Sequence, residues 1–125
     1  MRQILVFLFV ILSLISKAQE KIAESKMKQY FLVILIKGPN RTQDSTTAQQ
    51  IQAEHKKNIG RLYECGKLDM AGPFGDDTDW RGVFVFNVST REEVEKLLQT
   101  DAAISSGRLS YIIHPWWSEK GSALR

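Results

Sequence analysis

The segment LDMAGPFGDDTDWRGVFVFNV, residues 68–88, decides the fold class because it holds two apolar stretches with no helix between them. Residues 68–74 predict a short strand with Gly72-Pro73 near its end, and residues 83–88 predict a second strand, apolar on both faces for most of its length. The intervening residues 75–82, rich in glycine and aspartate, predict a loop. Two strands in direct succession are typical of a split β-α-β arrangement.

A strand and a helix are expected before this segment. Residues 30–36, YFLVILI, form an apolar run that stops at a Gly-Pro-Asn sequence, which predicts a strand buried on both faces. Residues 44–47 offer several N-cap candidates for a helix that should run to Cys65. Gly66 supplies the left-handed residue that commonly ends a helix.

A helix and a strand are expected after it. Ser89 and Glu92 have the spacing of a capping box, which predicts the start of a second helix. Leu109 to Trp117 predicts a fourth strand, broken by Pro115. The order β-α-β-β-α-β predicts a ferredoxin-like α+β fold, an antiparallel four-stranded sheet with two helices on one face.

The other face of this sheet is also expected to be apolar, because the first and third strands carry apolar residues on both sides. A large apolar patch on a small domain normally marks an interface. The sequence therefore predicts a homodimer that packs sheet against sheet, a dimeric α+β barrel.

Residues 1–18 have the features of a signal peptide. Arg2 is followed by an uninterrupted apolar run, Ile4–Leu12, and Ser16-Lys17-Ala18 predicts cleavage before Gln19. The run is too short to span a membrane, which takes about 20 apolar residues. We expect an exported protein, periplasmic or secreted, with no membrane attachment after cleavage and one domain over residues 27–118. An uncleaved N-terminal anchor is the alternative.

Composition argues against a nucleic-acid partner. The leader holds two of the 17 basic residues and none of the 14 acidic ones, so its removal lowers the formal net charge from +3 to +1. The basic character is thus largely a property of the leader. The β-α-β-β-α-β order also builds RNA-recognition domains, but Val83, Val85 and Val88 stand where stacking aromatic residues would be needed. Cys65 is the only cysteine, so no internal disulfide is expected.

His55 and Asp101 each interrupt the apolar side of a predicted helix. At about 100° per residue, His55 lies within roughly 80° of Ile59 and Leu62 and should face the sheet. Asp101 continues the apolar side that Leu98 belongs to. Because a buried titratable group costs free energy unless it is paired, we expect the two to meet in one cleft. The simpler alternatives are a core histidine, and an aspartate that caps the turn after it.

Together with Gly66-Lys67-Leu68, Ala71-Gly72-Pro73 and Pro115-Trp116, these two residues make the chain resemble the YCII-related domain family from about Lys28 to Trp117. That family is similar to muconolactone-isomerase-like proteins. The resemblance implies a ferredoxin-like dimer that acts on small ring-derived compounds, for example by dehydrochlorination. It also implies that His55 is the acid/base, that Asp101 orients it, and that Gly72 and Pro73 shape the cleft wall.

These observations predict a cleft for a small organic ligand. If the protein is an enzyme, we expect cofactor-free proton transfer, an isomerisation or elimination next to a carbonyl, with His55 and Asp101 as the catalytic residues. The expected ligand-binding residues are Gly72, Pro73, Phe74 and Trp116. A non-catalytic binding or sensing dimer is the alternative, and a purely structural dimerisation domain is a third.

No metal site is expected. Residues 77–82 superficially follow a calcium-binding loop, but Arg81 occupies the fifth position and Val88 the twelfth. The two histidines and the single cysteine show no spacing typical of a transition-metal site.

Overall fold

A computed structural model describes residue 3, residues 10–17 and residues 26–125. The elements are β1 (Met27–Lys37), α1 (Ser45–Glu64), β2 (Leu68–Pro73), β3 (Trp80–Phe86), α2 (Arg91–Gln99), α3 (Ala102–Ser105) and β4 (Leu109–Glu119). The four strands form one antiparallel sheet in the order β2-β3-β1-β4. The predicted ferredoxin-like fold is confirmed, with α3 as an additional short helix.

Contacts divide the chain into two units, of which Gln29–Trp116 contains the helices α1–α3 and most of the sheet. In the other unit, the backbone N–H of Lys120 donates to the carbonyl of Lys26 at 2.8 Å. Residues 10–17 are helical and exposed. Half of the predicted signal peptide, residues 1, 2, 4–9 and 18, lies outside the described residues. Within the described part of the chain, no helix is both long and apolar enough to cross a membrane.

The core lies between the helices and one face of the sheet. In β1 and β3, Phe31 pairs with Phe86 and Val33 pairs with Phe84, and all four are buried. Alternate residues of a strand point to opposite faces, so these four face the helices. The helices complete the core with Leu62, Val94, Leu98 and Ile104. On the opposite face of β1, Tyr30 is buried but Leu32, Ile34 and Ile36 are only half-buried in the single chain, which differs from the strand buried on both sides that its sequence predicted.

Helix α1 ends as its sequence predicted. Cys65 is the C-cap, and Gly66 follows with a φ of +73°. This left-handed conformation lets the N–H of Gly66 donate to Tyr63 and the N–H of Lys67 donate to Leu62, each at 3.0 Å. The last carbonyls of the helix are thereby satisfied before the chain enters β2.

Two predicted boundaries are wrong. The N-cap of α2 is Thr90, one residue after Ser89, and its hydroxyl accepts from the N–H of Glu93 at 3.2 Å. Strand β3 starts at Trp80 and not at residue 83, because Trp80 pairs with Ile36 of β1, and Gly82 pairs with Pro73 of β2.

Strand β4 also differs from its prediction, since it continues through Pro115 to Glu119. It is an edge strand, and proline is tolerated there because one side of an edge strand needs no ladder hydrogen bonds.

Candidate functional site

His55 lies in the middle of α1, on the side of the helix that faces the sheet. Asp44 caps the start of this helix by accepting from the N–H of Thr47 at 2.7 Å. About three turns after the start of the helix at Ser45, His55 lies in the interior, where it is 8% exposed. Its ring stacks on Phe84 of β3, with centroids 6.0 Å apart and planes inclined by 22°. This packing fixes the plane of the imidazole.

Asp101 lies between α2 and α3, which corrects its predicted place on the second helix. Helix α2 ends at Gln99, and Asp101 has the extended backbone of an N-cap. Its Oδ1 accepts from the N–H of Ala103 at 2.9 Å, so it caps the short helix that follows. At 1% exposure the carboxylate is fully buried.

The structure brings the two side chains together. His55 Nδ1 lies 2.7 Å from Asp101 Oδ2, a short distance typical of a charge-assisted hydrogen bond. An ionised carboxylate can only accept, so the hydrogen of this bond belongs to Nδ1. In the neutral ring Nε2 then carries the lone pair, and it makes no hydrogen bond to the described residues. This arrangement can accept a proton at Nε2 and return it.

His55 lines a cavity of about 350 Å³ between α1 and one end of the sheet. That volume is at the small end of the range for ligand sites. Its apolar wall comes from Leu35, Ile59, Ala71, Pro73, Phe84 and Leu109, and its cationic wall from Arg41, Lys56, Arg81 and Arg108. The cavity thus combines an apolar surface, a strong positive charge and one imidazole.

The residues predicted to bind a ligand separate into two groups. Gly72 and Pro73 lie in the cavity wall. Phe74 packs against Trp80 with ring centroids 5.9 Å apart, and Trp116 packs against Tyr30 at 6.4 Å. These two aromatic residues lie outside the cavity lining, and ligand contact by either stays a prediction.

Sequence reasoning missed the three arginines. Residues 41, 81 and 108 are far apart in the chain, and none belongs to a recognisable motif. The strand order could have indicated them, because the end of β1, the start of β3 and the start of β4 meet at the same end of the sheet. Each arginine lies at or near one of these strand ends, and they therefore converge.

Convergence has an electrostatic consequence for Arg41. Burial lowers the pKa of its guanidinium, and the neighbouring charges of Arg108 and then Arg81 lower it further. A positive group placed beside two others favours a negative partner.

Two of the three aspartates in the loop before β3, Asp77 and Asp79, lie beside cations. Asp77 Oδ1 accepts from Arg81 Nη1 at 3.2 Å and lies 3.9 Å from Lys37 Nζ, while Asp79 Oδ1 lies 4.0 Å from the same amine. Both carboxylates are largely exposed to solvent, so these ion pairs stabilise the fold only weakly.

Comparison with known proteins gives a fold relationship. No family model matches the chain, and no curated protein matches it significantly. Among solved structures, it is similar to 5-chloro-2-hydroxyhydroquinone dehydrochlorinase from Burkholderia phenoliruptrix AC1100, determined in complex with 2,5-dihydroxybenzoquinone. The match has 21% identity and a TM-score of 0.50, and it covers 69% of this chain and 92% of that chain. At this identity the likeness establishes the shared fold.

Proposed function

We propose that the protein belongs to the YCII-related family and catalyses proton transfer on a small ring-derived organic compound. His55 is the general acid and base, and Asp101 positions it. The observation that carries this proposal is the buried 2.7 Å hydrogen bond between a cavity-lining imidazole and a carboxylate. Because both the ring plane and the tautomer are held by contacts, Nε2 is prepared for reaction before a ligand binds.

The proposed reaction moves only a proton and an electron pair that the substrate itself provides. Nε2 takes a proton from a carbon next to a carbonyl, and the electron pair of the broken C–H bond moves into the carbonyl system. In an isomerisation the same proton returns at another carbon. In an elimination a leaving group departs with its electron pair from the adjacent carbon. Neither reaction changes the oxidation state overall, so the proposal includes no cofactor.

The structural neighbour supports this substrate class. That protein is a dehydrochlorinase, and its bound ligand is a dihydroxybenzoquinone, a small ring with carbonyl groups. We extend to this chain the general class of a small carbonyl-containing ring, and the cavity volume fits a compound of that size.

We further propose that the protein is exported after removal of residues 1–18 and functions as a homodimer. The leader sequence supports export, and a mature N-terminus at Gln19, read by mass spectrometry of the periplasmic and culture fractions, is the test. The sheet face that points away from the helices, called the outer sheet face below, supports dimerisation because it carries exposed apolar side chains. Met70 is 37%, Ile112 is 40% and Trp116 is 41% exposed. These apolar side chains extend over both edges of the sheet.

A proton-exchange assay tests the catalytic proposal. Small cyclic ketones, lactones and hydroxyquinones are first screened by thermal shift, and those that bind are then incubated with the protein in D₂O. We expect deuterium to enter the ligand next to its carbonyl. His55→Asn should slow this exchange by roughly 10²–10⁴-fold. Glu54→Gln is the matched control, because Glu54 is the exposed neighbour of His55 on α1 and lies outside the lining of this cavity.

A non-catalytic binding protein is the second candidate, and one observation favours it. His55 is 8% exposed and its partner also caps α3, so the pair has a structural role of its own. Ligands that raise the melting temperature, take up no deuterium and are recovered unchanged would establish binding without catalysis.

A further inference from the structure

The His55 cavity has an excess of positive charge that proton transfer alone does not explain. Its lining includes Arg41, Lys56, Arg81 and Arg108, and among these lining residues there is no aspartate or glutamate. All three arginines are half-buried. Concentrating like charges in a partly desolvated cleft is unfavourable unless a ligand of opposite charge compensates for it.

Two of these arginines have no carboxylate partner within residues 26–125. Arg81 is paired with Asp77 at 3.2 Å. Arg41 instead donates to the backbone carbonyl of Arg108 at 2.6 Å, and Arg108 donates to the side-chain carbonyl of Gln43 at 3.1 Å. Neutral acceptors orient the two guanidinium groups and leave their charges uncompensated.

The backbone holds these two arginines side by side. The N–H of Gly38 donates to the carbonyl of Arg108, and the N–H of Asn40 donates to the carbonyl of Gly107, both at 2.9 Å. The two segments approach so closely that a Cβ on Gly38 would lie 2.1 Å from the oxygen of Gly107. Glycine at position 38 permits this approach, and Arg41 then lies directly against the start of β4.

The rest of the lining defines what kind of anion fits. Leu35, Phe84 and Leu109 provide an apolar wall beside the cations, which suits a ligand with an apolar body and one charged end. Guanidinium groups present planar arrays of donors that match a carboxylate or another pair of acidic oxygens. A small organic acid has both features.

We propose that Arg41 and Arg108 bind the anionic group of a small organic acid, whose apolar body lies against the apolar wall beside His55. This inference rests on the proposed function and names its substrate class: the compound on which His55 acts is an anion.

The test compares benzoate with its uncharged analogue benzamide by calorimetric titration and by chemical-shift mapping on the ¹⁵N-labelled protein. We expect benzoate to bind about tenfold more tightly, because a guanidinium group forms stronger hydrogen bonds with a carboxylate than with a neutral amide. The shifts should concentrate at Ala71, Gly72 and Ala103 in the cavity wall. Equal affinity for both compounds, shifts elsewhere, or no benzoate binding would overturn the inference.

Variants locate the anion subsite. Arg41→Gln and Arg108→Gln should each weaken benzoate binding by about tenfold and leave benzamide affinity unchanged, so that benzamide reports whether the variant is folded. Arg41→Lys, which keeps the charge, should recover part of the loss. Lys57→Gln is the matched control, because it removes one positive charge from α1 outside this cavity. An equal loss in Lys57→Gln would attribute the effect to net charge and overturn the assignment.

Benzoate carries no exchangeable proton next to a ketone or lactone carbonyl, so its binding is independent of turnover. Benzoate binding with no deuterium exchange in any ligand would refute the catalytic proposal and keep the anion subsite. Deuterium exchange in a neutral ligand, with no binding of benzoate, would refute the anion subsite and keep the catalytic proposal.

Discussion

Asp101 uses its two carboxylate oxygens for two different bonds. Oδ1 accepts from the N–H of Ala103 and begins α3, and Oδ2 accepts from Nδ1 of His55. A fully buried carboxylate is tolerated because both oxygens are satisfied. The two interpretations that the sequence left open for Asp101, a turn cap and a partner of His55, are therefore both present in one side chain.

This dual role predicts different costs for two substitutions at position 55. His55→Ala leaves Oδ2 of Asp101 buried without a donor, and we expect the free energy of unfolding to fall by about 3 kcal/mol. His55→Asn should cost clearly less, because its amide nitrogen can donate from nearly the position of Nδ1. Urea unfolding followed by circular dichroism measures both, with Glu54→Ala on the same helix as the exposed control. Equal losses in the two position-55 variants would show that the hydrogen bond contributes little.

Among the secondary-structure elements, the start of α2 shows why local sequence leaves some boundaries undecided. Ser89 and Thr90 are both good N-caps, and both are followed three residues later by a glutamate. The choice depends on where the chain leaves β3. Thr90 has the extended backbone of a cap, with φ −133° and ψ 151°, and the helix begins at Arg91.

The cap assignment can be tested directly. Thr90→Ala should lower the free energy of unfolding by about 1 kcal/mol, because the N–H of Glu93 loses its acceptor. Ser89→Ala is the matched control and should change it by less than about 0.5 kcal/mol. Thermal and urea unfolding of both variants provide the measurement. A larger effect at Ser89 would restore the predicted capping box.

At the scale of the whole molecule, the order of the elements followed from hydrophobic patterns that act locally, and it was predictable. The orientation of His55 toward the sheet was predictable for the same reason. The arginine cluster was not predictable, because it depends on which strand ends meet at the same end of the sheet. Strand β3 likewise begins at Trp80 only because β1 and β2 supply its backbone partners, which are distant in sequence.

The outer sheet face gives a prediction about assembly. We expect Ile112→Asp to convert a dimer to a monomer, since it places a charge in the proposed interface. Tyr63→Asp is the matched control, because Tyr63 is 65% exposed on α1, which packs on the other face of the sheet. Sedimentation velocity of the protein and both variants reports the mass. A wild-type monomer, or a dimer that Ile112→Asp leaves intact, would contradict this interface.

The most direct test of the central claim is the tautomer of His55, read from long-range ¹H–¹⁵N correlations of its ring in the neutral state. The structure predicts that Nδ1 carries the hydrogen and Nε2 the lone pair. Asp101→Asn should reverse this, because its amide group can donate to Nδ1 while its oxygen still accepts from Ala103. A hydrogen on Nε2 in the unmodified protein, or a tautomer unaffected by Asp101→Asn, would contradict the proposed acid–base role of the pair.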